Sequence, residues 1–326
     1  MEGQEGRPVT GRPAEGVRDP LQETMFSSIE AVMETLKAHR YVADRSLATI
    51  LYLSQALEKP LFLEGEPGVG KTQLGVVLAR ALDTAFIRLQ CYEGLDASTA
   101  LYEWNYPRQI LEIKLQETCG DRSQVARTIF SEEFLIKRPI LQALQHAGPR
   151  PAVLLIDELD RADEEFEAFL LEVLDAYQIT IPELGTIRAA VKPLVVLTSN
   201  RTREIHDALK RRCLYHWIDY PDFDKEYAIV KSHLPHIEDE LAAQVCRFME
   251  RVRTEEFLKR PGVAETLDWA AALLALNRDC LDEAVVEATL GCIFKNQQDI
   301  LLFRNAVWGD HEKRAEYLRQ VKSALC

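Results

Sequence analysis

Leu61-Phe62-Leu63-Glu64 runs directly into Gly65-Glu66-Pro67-Gly68-Val69-Gly70-Lys71-Thr72, and a helical pattern occupies residues 73–81. Strand, glycine loop and helix in that order are the context in which G-x-x-x-x-G-K-[ST] forms a phosphate cradle. The glycines let backbone N–H groups curl round the β- and γ-phosphates of a nucleotide without a Cβ in the way. The helix starting near Lys71 adds the positive end of its dipole. Lys71 supplies a point charge to the phosphate oxygens, and the Thr72 hydroxyl is a ligand for Mg²⁺. All eight residues from Gly65 to Thr72 are therefore candidate contacts for ATP.

Outward from this loop, short apolar runs at 61–63, 86–89, 152–156, 194–197 and 214–218 are mostly separated by helical patterns. That rhythm predicts an α/β fold, a parallel five-stranded sheet with helices on both faces. Upstream, apolar residues at helical spacing (Ile29, Val32, Met33, Leu36; then Leu47, Ile50, Leu51, Leu57) predict two helices. After Pro221 the strand signals cease, and an all-helical C-terminal part is expected. The predicted organisation is a disordered tail over 1–23, poor in large apolar side chains, an α/β domain over 24–221 and a helical domain over 222–326. Two segments interrupt the rhythm and read as hairpins: 100–115, turning at Asn105-Tyr106-Pro107, and 179–189, turning at 183–185.

The 326 residues are 47% hydrophobic and 28% charged, an ordinary globular composition. The longest apolar run, 269–276, is far short of the roughly 18 residues a membrane span needs. No apolar signal core follows the N-terminus, so a cytoplasmic location is expected. Seven cysteines at irregular spacing, with no CxxC pair, suggest reduced thiols rather than a metal or disulfide framework. A net charge of −13 argues against a nucleic-acid partner and for a protein one.

Asp157 and Glu158 end the apolar run 152–156. Ligands of a parallel sheet sit beyond the carboxyl ends of its strands, where the glycine loop also lies. Asp157 can then hold Mg²⁺, and Glu158 can polarise the water that attacks the γ-phosphate. Asn200 closes the next strand, where its amide can orient that water or simply open a turn. Arg211 and Arg212 precede the fifth strand, which suggests a place near an edge of the nucleotide-binding face. A guanidinium reaching a neighbouring subunit's γ-phosphate contributes about 10³–10⁵ in rate; a basic surface turn is the alternative. His233 and His236 read as surface residues, Trp269 as core. Tyr102, Trp104 and Tyr106 read equally as a contact loop or a small core.

The order and spacing of GEPGVGKT, LLIDELD, LTSN and LKRRC resemble those of AAA+ ATPases. The hairpin ITIPELGTIRA and the insertion after the second strand resemble the MoxR group. RLQCYEGLD, ALYEWNYPRQIL and SNRTREIHDALKRRCLYHWIDYP are similar to its CoxD-like branch. The resemblance covers roughly residues 25–305. It implies a helical lid, a ring-shaped homo-oligomer, usually a hexamer, and Mg²⁺-dependent ATP hydrolysis. Lys71 and Thr72 would be the Walker A residues, Asp157 and Glu158 Walker B, and Asn200 sensor 1. Arg212, helped by Arg211, would be an arginine finger, and Gln90 a switch residue touching Glu158. It further implies a chaperone role in maturing a molybdenum hydroxylase such as carbon monoxide dehydrogenase, with a von Willebrand factor A-domain partner. One position departs from the pattern: Thr266 stands where MoxR-type lids often carry a sensor 2 arginine. Either Lys259, Arg260 or Lys295 replaces it, or the lid senses the γ-phosphate weakly. A nucleotide-gated binding module with negligible turnover is the competing functional reading.

Overall fold

Two helices, α1 (Ile29–Ala38) and α2 (Arg45–Ala56), lead into the first strand, and Asp44 caps α2 by accepting the Leu47 N–H at 2.7 Å. The computed structural model describes residues 25–116 and 128–323, so the tail expected over 1–23 lies outside the described residues. Strand β1 (Leu61–Gly65), helix α3 (Lys71–Ala81) and strand β2 (Phe86–Gln90) follow. An insertion then carries α4 (Ala97–Leu101), β3 (Tyr102–Trp104), α5 (Tyr106–Gln116), β4 (Leu135–Lys137) and α6 (Pro139–Leu144). The sheet resumes with β5 (Val153–Asp157), α7 (Glu164–Ala176), the hairpin β6 (Gln178–Ile181) and β7 (Gly185–Arg188), β8 (Leu194–Ser199), α8 (Asp207–Lys210) and β9 (Leu214–Ile218).

The main sheet has the order β2-β5-β8-β1-β9, all pairs parallel. Its three inner strands are buried at every position, because helices cover both faces and neither face meets water. The alternation of a strand still sorts their side chains. Phe62, Leu154, Ile156, Val195 and Leu197 pack on one face with α6, α7 and the insertion. Leu61, Leu63, Val153, Leu155 and Val196 pack on the other with α1, α2 and α3. The outer strands β2 and β9 are only partly buried, as edges are.

The expected hairpin over 179–189 is present, with Ile181 paired to Gly185 and the Leu184 N–H donating to Ile181 O at 3.0 Å. The hairpin expected at 100–115 is not. Tyr102–Trp104 pairs instead with the distant Leu135–Lys137, and Tyr106 opens a helix. Asn105 caps that helix, its Oδ1 accepting the Arg108 N–H at 3.1 Å. Pro107 suits a first helical turn, where no N–H is needed. The alternating run Ile110–Leu115 therefore marks a helix rather than a returning strand. The aromatic trio divides: Trp104 is buried against Phe130, ring centroids 5.3 Å apart, and Tyr106 is exposed.

Beyond β9 the described residues are helical: α9 (Phe223–His233), α10 (Asp239–Arg253), α11 (Val263–Ala275), α12 (Glu283–Ile293), α13 (Gln297–Leu302), a π-helical turn over Phe303–Trp308, and α14 (His311–Ser323). They share a separate core, in which Phe248 meets Trp269 at 4.8 Å, Tyr317 at 5.2 Å and Phe303 at 5.9 Å. Trp269 is core, as expected, and its Nε1 donates to Thr289 Oγ1 at 2.8 Å. Among the described residues no helix is long and apolar enough to cross a membrane.

Phe248 is fully buried at the centre of this aromatic cluster. Phe248→Ala removes a ring that four others touch and should cost about 3–5 kcal/mol of stability. Urea unfolding followed by circular dichroism measures it; an unchanged midpoint would show that the cluster does not anchor these helices.

Candidate functional site

Because the sheet is parallel, the residues after β1, β5 and β8 all emerge at one edge. There a cleft of about 620 Å³ lies between the glycine loop, the N-terminal helices and the C-terminal helices. Residues 67–72, Asp157, Glu158 and Asn200 line it. Gly65 and Glu66, at the start of the loop, do not line it. Gly70 sits at φ +93°, the left-handed turn that aims the first N–H groups of α3 into the cleft.

Lys71 is buried, and its Nζ donates to Gly65 O and Glu66 O, both at 2.7 Å. Burial pushes its pKa down to about 8; the nearby carboxylates of Asp160, Glu66, Asp157 and Glu158 only partly oppose this. The side chain is thus folded back on its own loop, with a proton it holds weakly.

Asp157 is 1% exposed and lies at the centre of the polar contacts. Its carboxylate accepts from Thr72 Oγ1 at 2.9 Å, Thr198 Oγ1 at 2.6 Å and Arg88 Nε at 3.0 Å. Thr198 also accepts the Glu158 N–H at 2.9 Å, so β8 fixes both acids. Glu158 stands at φ +54°, a conformation few non-glycine residues adopt and one that clusters at functional sites. Its Oε2 accepts from Gln90 Nε2 at 3.1 Å, so the contact expected of Gln90 is present.

Asn200 is oriented through its backbone. Buried Asp160 accepts the N–H of Asn200 at 3.2 Å and of Thr202 at 2.9 Å, and the Thr202 hydroxyl at 2.6 Å. Burial alone would raise the Asp160 pKa; those hydrogen bonds outweigh it and leave the group below its ordinary value. The loop after β5 and the loop after β8 are thereby one unit.

Arg211 and Arg212 do not lie near the nucleotide edge, contrary to expectation. Leu214 pairs with Leu61 at the amino ends of β9 and β1, so the two arginines sit at the opposite end of the strands. Arg212 donates to Asp175 Oδ1 and Ala208 O, both at 3.3 Å. Being placed before a strand of a parallel sheet put them there, and they cannot reach this chain's own cleft.

The C-terminal helices close the cleft through α11. The N–H of Val263 donates to Gly68 O at 3.0 Å, and that of Ala264 at 3.4 Å. A Cβ on Gly262 would stand 2.8 Å from Pro67 O, so this approach requires glycine. Thr266 points away from the cleft: it is fully buried, donates to Glu226 Oε1 at 2.6 Å and accepts from Arg253 Nη2 at 2.9 Å. Lys259, Arg260 and Lys295 do not line the cleft. Lys225, 2.9 Å from Asp44, lines it together with Lys71 and Arg40, joined by His233, which was read as a plain surface residue.

Residues 60–213 match the family model of the AAA domain (dynein-related subfamily). The fold is the AAA+ P-loop fold. An uncharacterized protein of Staphylococcus aureus (strain NCTC 8325 / PS 47) is 27% identical over 226 residues, 68% of this chain and 77% of that protein. An uncharacterized protein of Staphylococcus haemolyticus (strain JCSC1435) is 29% identical over 204 residues, 61% of this chain and 70% of that one. Among solved structures, the Thermotoga maritima RuvB Holliday junction branch migration motor is 16% identical, covering 83% of this chain and 72% of its own, with a TM-score of 0.43.

Within this site, Arg88, Thr198, Asp160 and Lys225 were not found from the sequence. Thr198 carried a usable signal, a hydroxyl two residues before Asn200 at the end of an otherwise apolar strand. Asp160 ends the LLIDELD segment; Arg88 and Lys225 bear no motif, and only the fold brings Arg88 to Asp157 and Lys225 to the cleft.

A triphosphate favours the charged form of Lys71, so binding above pH 8 requires uptake of a proton. Nucleotide affinity should therefore fall as pH rises through about 8, approaching tenfold per unit. Titration with a fluorescent nucleotide between about pH 7 and 10 reads this out. A flat profile would mean that Lys71 does not carry the phosphate charge.

Proposed function

We propose that this chain is a Mg²⁺-dependent ATPase of the MoxR group, closest to the CoxD-like branch, which remodels a protein client. The observation that carries the ATPase reading is the convergence of Lys71, Thr72, Asp157, Glu158 and Asn200 on a single cleft. The apolar end of that cleft, with Val42, Leu47, Ile229 and Leu267, suits a nucleobase.

The donor set fits magnesium. Thr72 Oγ1 and Asp157 are hard oxygen ligands in contact with each other beside the phosphate loop, and Mg²⁺ is bound by few protein oxygens plus substrate phosphates. When bound, Mg²⁺ would be held by Thr72 and Asp157 and would neutralise charge developing on the phosphates. Lys71 turns from its loop carbonyls to the phosphates. Glu158 accepts a proton from the attacking water, and Asn200 orients that water. Arg212, with Arg211 beside it, serves the neighbouring subunit's nucleotide, because the far end of the sheet denies it this one.

In this reading residues 24–221 are the nucleotide-binding domain and 222–326 the lid, working in a homo-oligomeric ring, a hexamer by resemblance. The client, a molybdenum hydroxylase such as carbon monoxide dehydrogenase, and the von Willebrand factor A-domain partner rest on the resemblance of sequence segments; fold does not fix function. A cytoplasmic location accompanies it. A second reading, a nucleotide-gated module with little turnover, draws on the hydrogen bond that ties Glu158 to Gln90.

Phosphate release separates the two readings. Glu158→Gln should keep nucleotide binding and lose turnover by about 10²-fold or more; equal, near-zero rates in wild type and variant would favour the gated module. Lys71→Ala should abolish or nearly abolish binding. Arg212→Ala should bind nucleotide normally and lose turnover only in the assembled ring, and unchanged turnover there would remove the trans role.

A further inference from the structure

Arg88 and Gln90 stand two residues apart on β2, so both project from the same side of the sheet, and the register sets them beside Leu155 and Asp157 of β5. Neither lines the cleft. Together they nevertheless join its two acids. Arg88 donates to Asp157 Oδ2 through Nε at 3.0 Å and Nη2 at 2.5 Å. The same Nη2 donates to Gln90 Oε1 at 2.5 Å, and Gln90 Nε2 donates to Glu158 Oε2 at 3.1 Å. A guanidinium has only donors, so it fixes the carbonyl end of the Gln90 amide and leaves the NH₂ end for Glu158.

The two ends of this chain differ in freedom. Asp157 is 1% exposed and is also held by Thr72 and Thr198; the Arg88 side chain is 46% exposed. One partner cannot move, and the other can leave for solvent. A divalent cation at Asp157 brings positive charge against the guanidinium, within the range at which like charges repel strongly near a protein surface.

We infer that Arg88 is a metal-sensing latch. Its guanidinium occupies the carboxylate that would hold the cation and also bonds Gln90, the partner of Glu158; a cation held by Asp157 would have to displace it. The inference deepens the proposed ATPase function and rests on it. It gives Arg88 a positioning role, acting through Asp157 and Gln90 rather than on the nucleotide.

The test is Mg²⁺ dependence of fluorescent-nucleotide binding by the full chain. Arg88→Met removes the competing charge and should lower the half-saturating Mg²⁺ roughly threefold to tenfold. Arg88→Lys keeps the charge and should stay near wild type; Gln90→Leu leaves the Arg88–Asp157 pair intact and should also match wild type. A requirement that is unchanged in Arg88→Met overturns the latch. A requirement that rises overturns it too, because an arginine that merely supports Asp157 would weaken metal binding when removed. A fall of the same size in Gln90→Leu would show that charge at Asp157 is not the cause. Should Arg88→Met fail to fold, Arg88→Gln removes the charge while keeping a donor and is read by the same criteria. Wild type that binds no nucleotide at any Mg²⁺ concentration sinks the ATPase reading itself, whereas normal wild-type binding with a wild-type-like Arg88→Met sinks only the latch.

Discussion

A carboxylate buried to 1% exposure is the constraint around which this molecule is arranged. Such a charge is tolerated only when paired and fully hydrogen-bonded. Asp157 meets that demand by drawing on three separate segments: Thr72 from α3, Thr198 from β8 and Arg88 from β2. Each of those segments must therefore reach the same point, and a parallel sheet whose neighbours of β5 are β2 and β8 delivers them there. The loop contacts follow. With Thr198 engaged on Asp157, its oxygen accepts the Glu158 N–H, and Asp160 ties the next turn to the backbone of Asn200 and Thr202.

Much of this was legible in the sequence, and for identifiable reasons. Inner strands buried on both faces are apolar along most of their length, so β1, β5 and β8 stood out as runs that turn polar only at their carboxyl ends. The glycine loop was legible because backbone wrapping of phosphates admits few residue types. The acid pair was legible because charged groups directly after such a strand have one place to go. What escaped lacked a local cause. Residues 102–104 pair with a strand more than thirty positions away, and nothing in Asn105-Tyr106-Pro107 distinguishes a hairpin turn from a capped helix start. Arg88 reads as an ordinary edge-strand residue, and its meaning depends on the carboxylate that the register puts beside it. The arginines before β9 were misplaced although the parallel sheet already implied their position: a residue preceding a strand lies at its amino end, away from the ligand edge.

The C-terminal helices show how a missing residue type can be absorbed. Thr266 occupies the position where an arginine was expected, and it is part of a buried network in which Arg253 makes two 2.7 Å bonds to Glu226. A charge pair buried this deeply is costly to break and adds rigidity more surely than net stability. It holds α9, α10 and α11 as one body, so the start of α11 cannot shift without the rest. The network thus ties the contact at Gly262 to α9, α10 and α11 together.

That local contact is also what makes movement affordable in energy. The polar contacts of the helical part at the cleft include two backbone hydrogen bonds to Gly68 O and the partly exposed Lys225–Asp44 pair. Hydrogen bonds of this kind contribute about 1 kcal/mol each, and an exposed ion pair less. Their sum is of the size that differential ligand binding can shift, since a population change from mostly one state to mostly another needs roughly 5.5 kcal/mol. Because Gly68 lies inside the phosphate loop, any rearrangement of that loop around a triphosphate acts directly on the carbonyl that holds α11. Under the proposed function no charged reporter on the helical part is then required: the loop proposed to hold the phosphates is itself bonded to the start of α11.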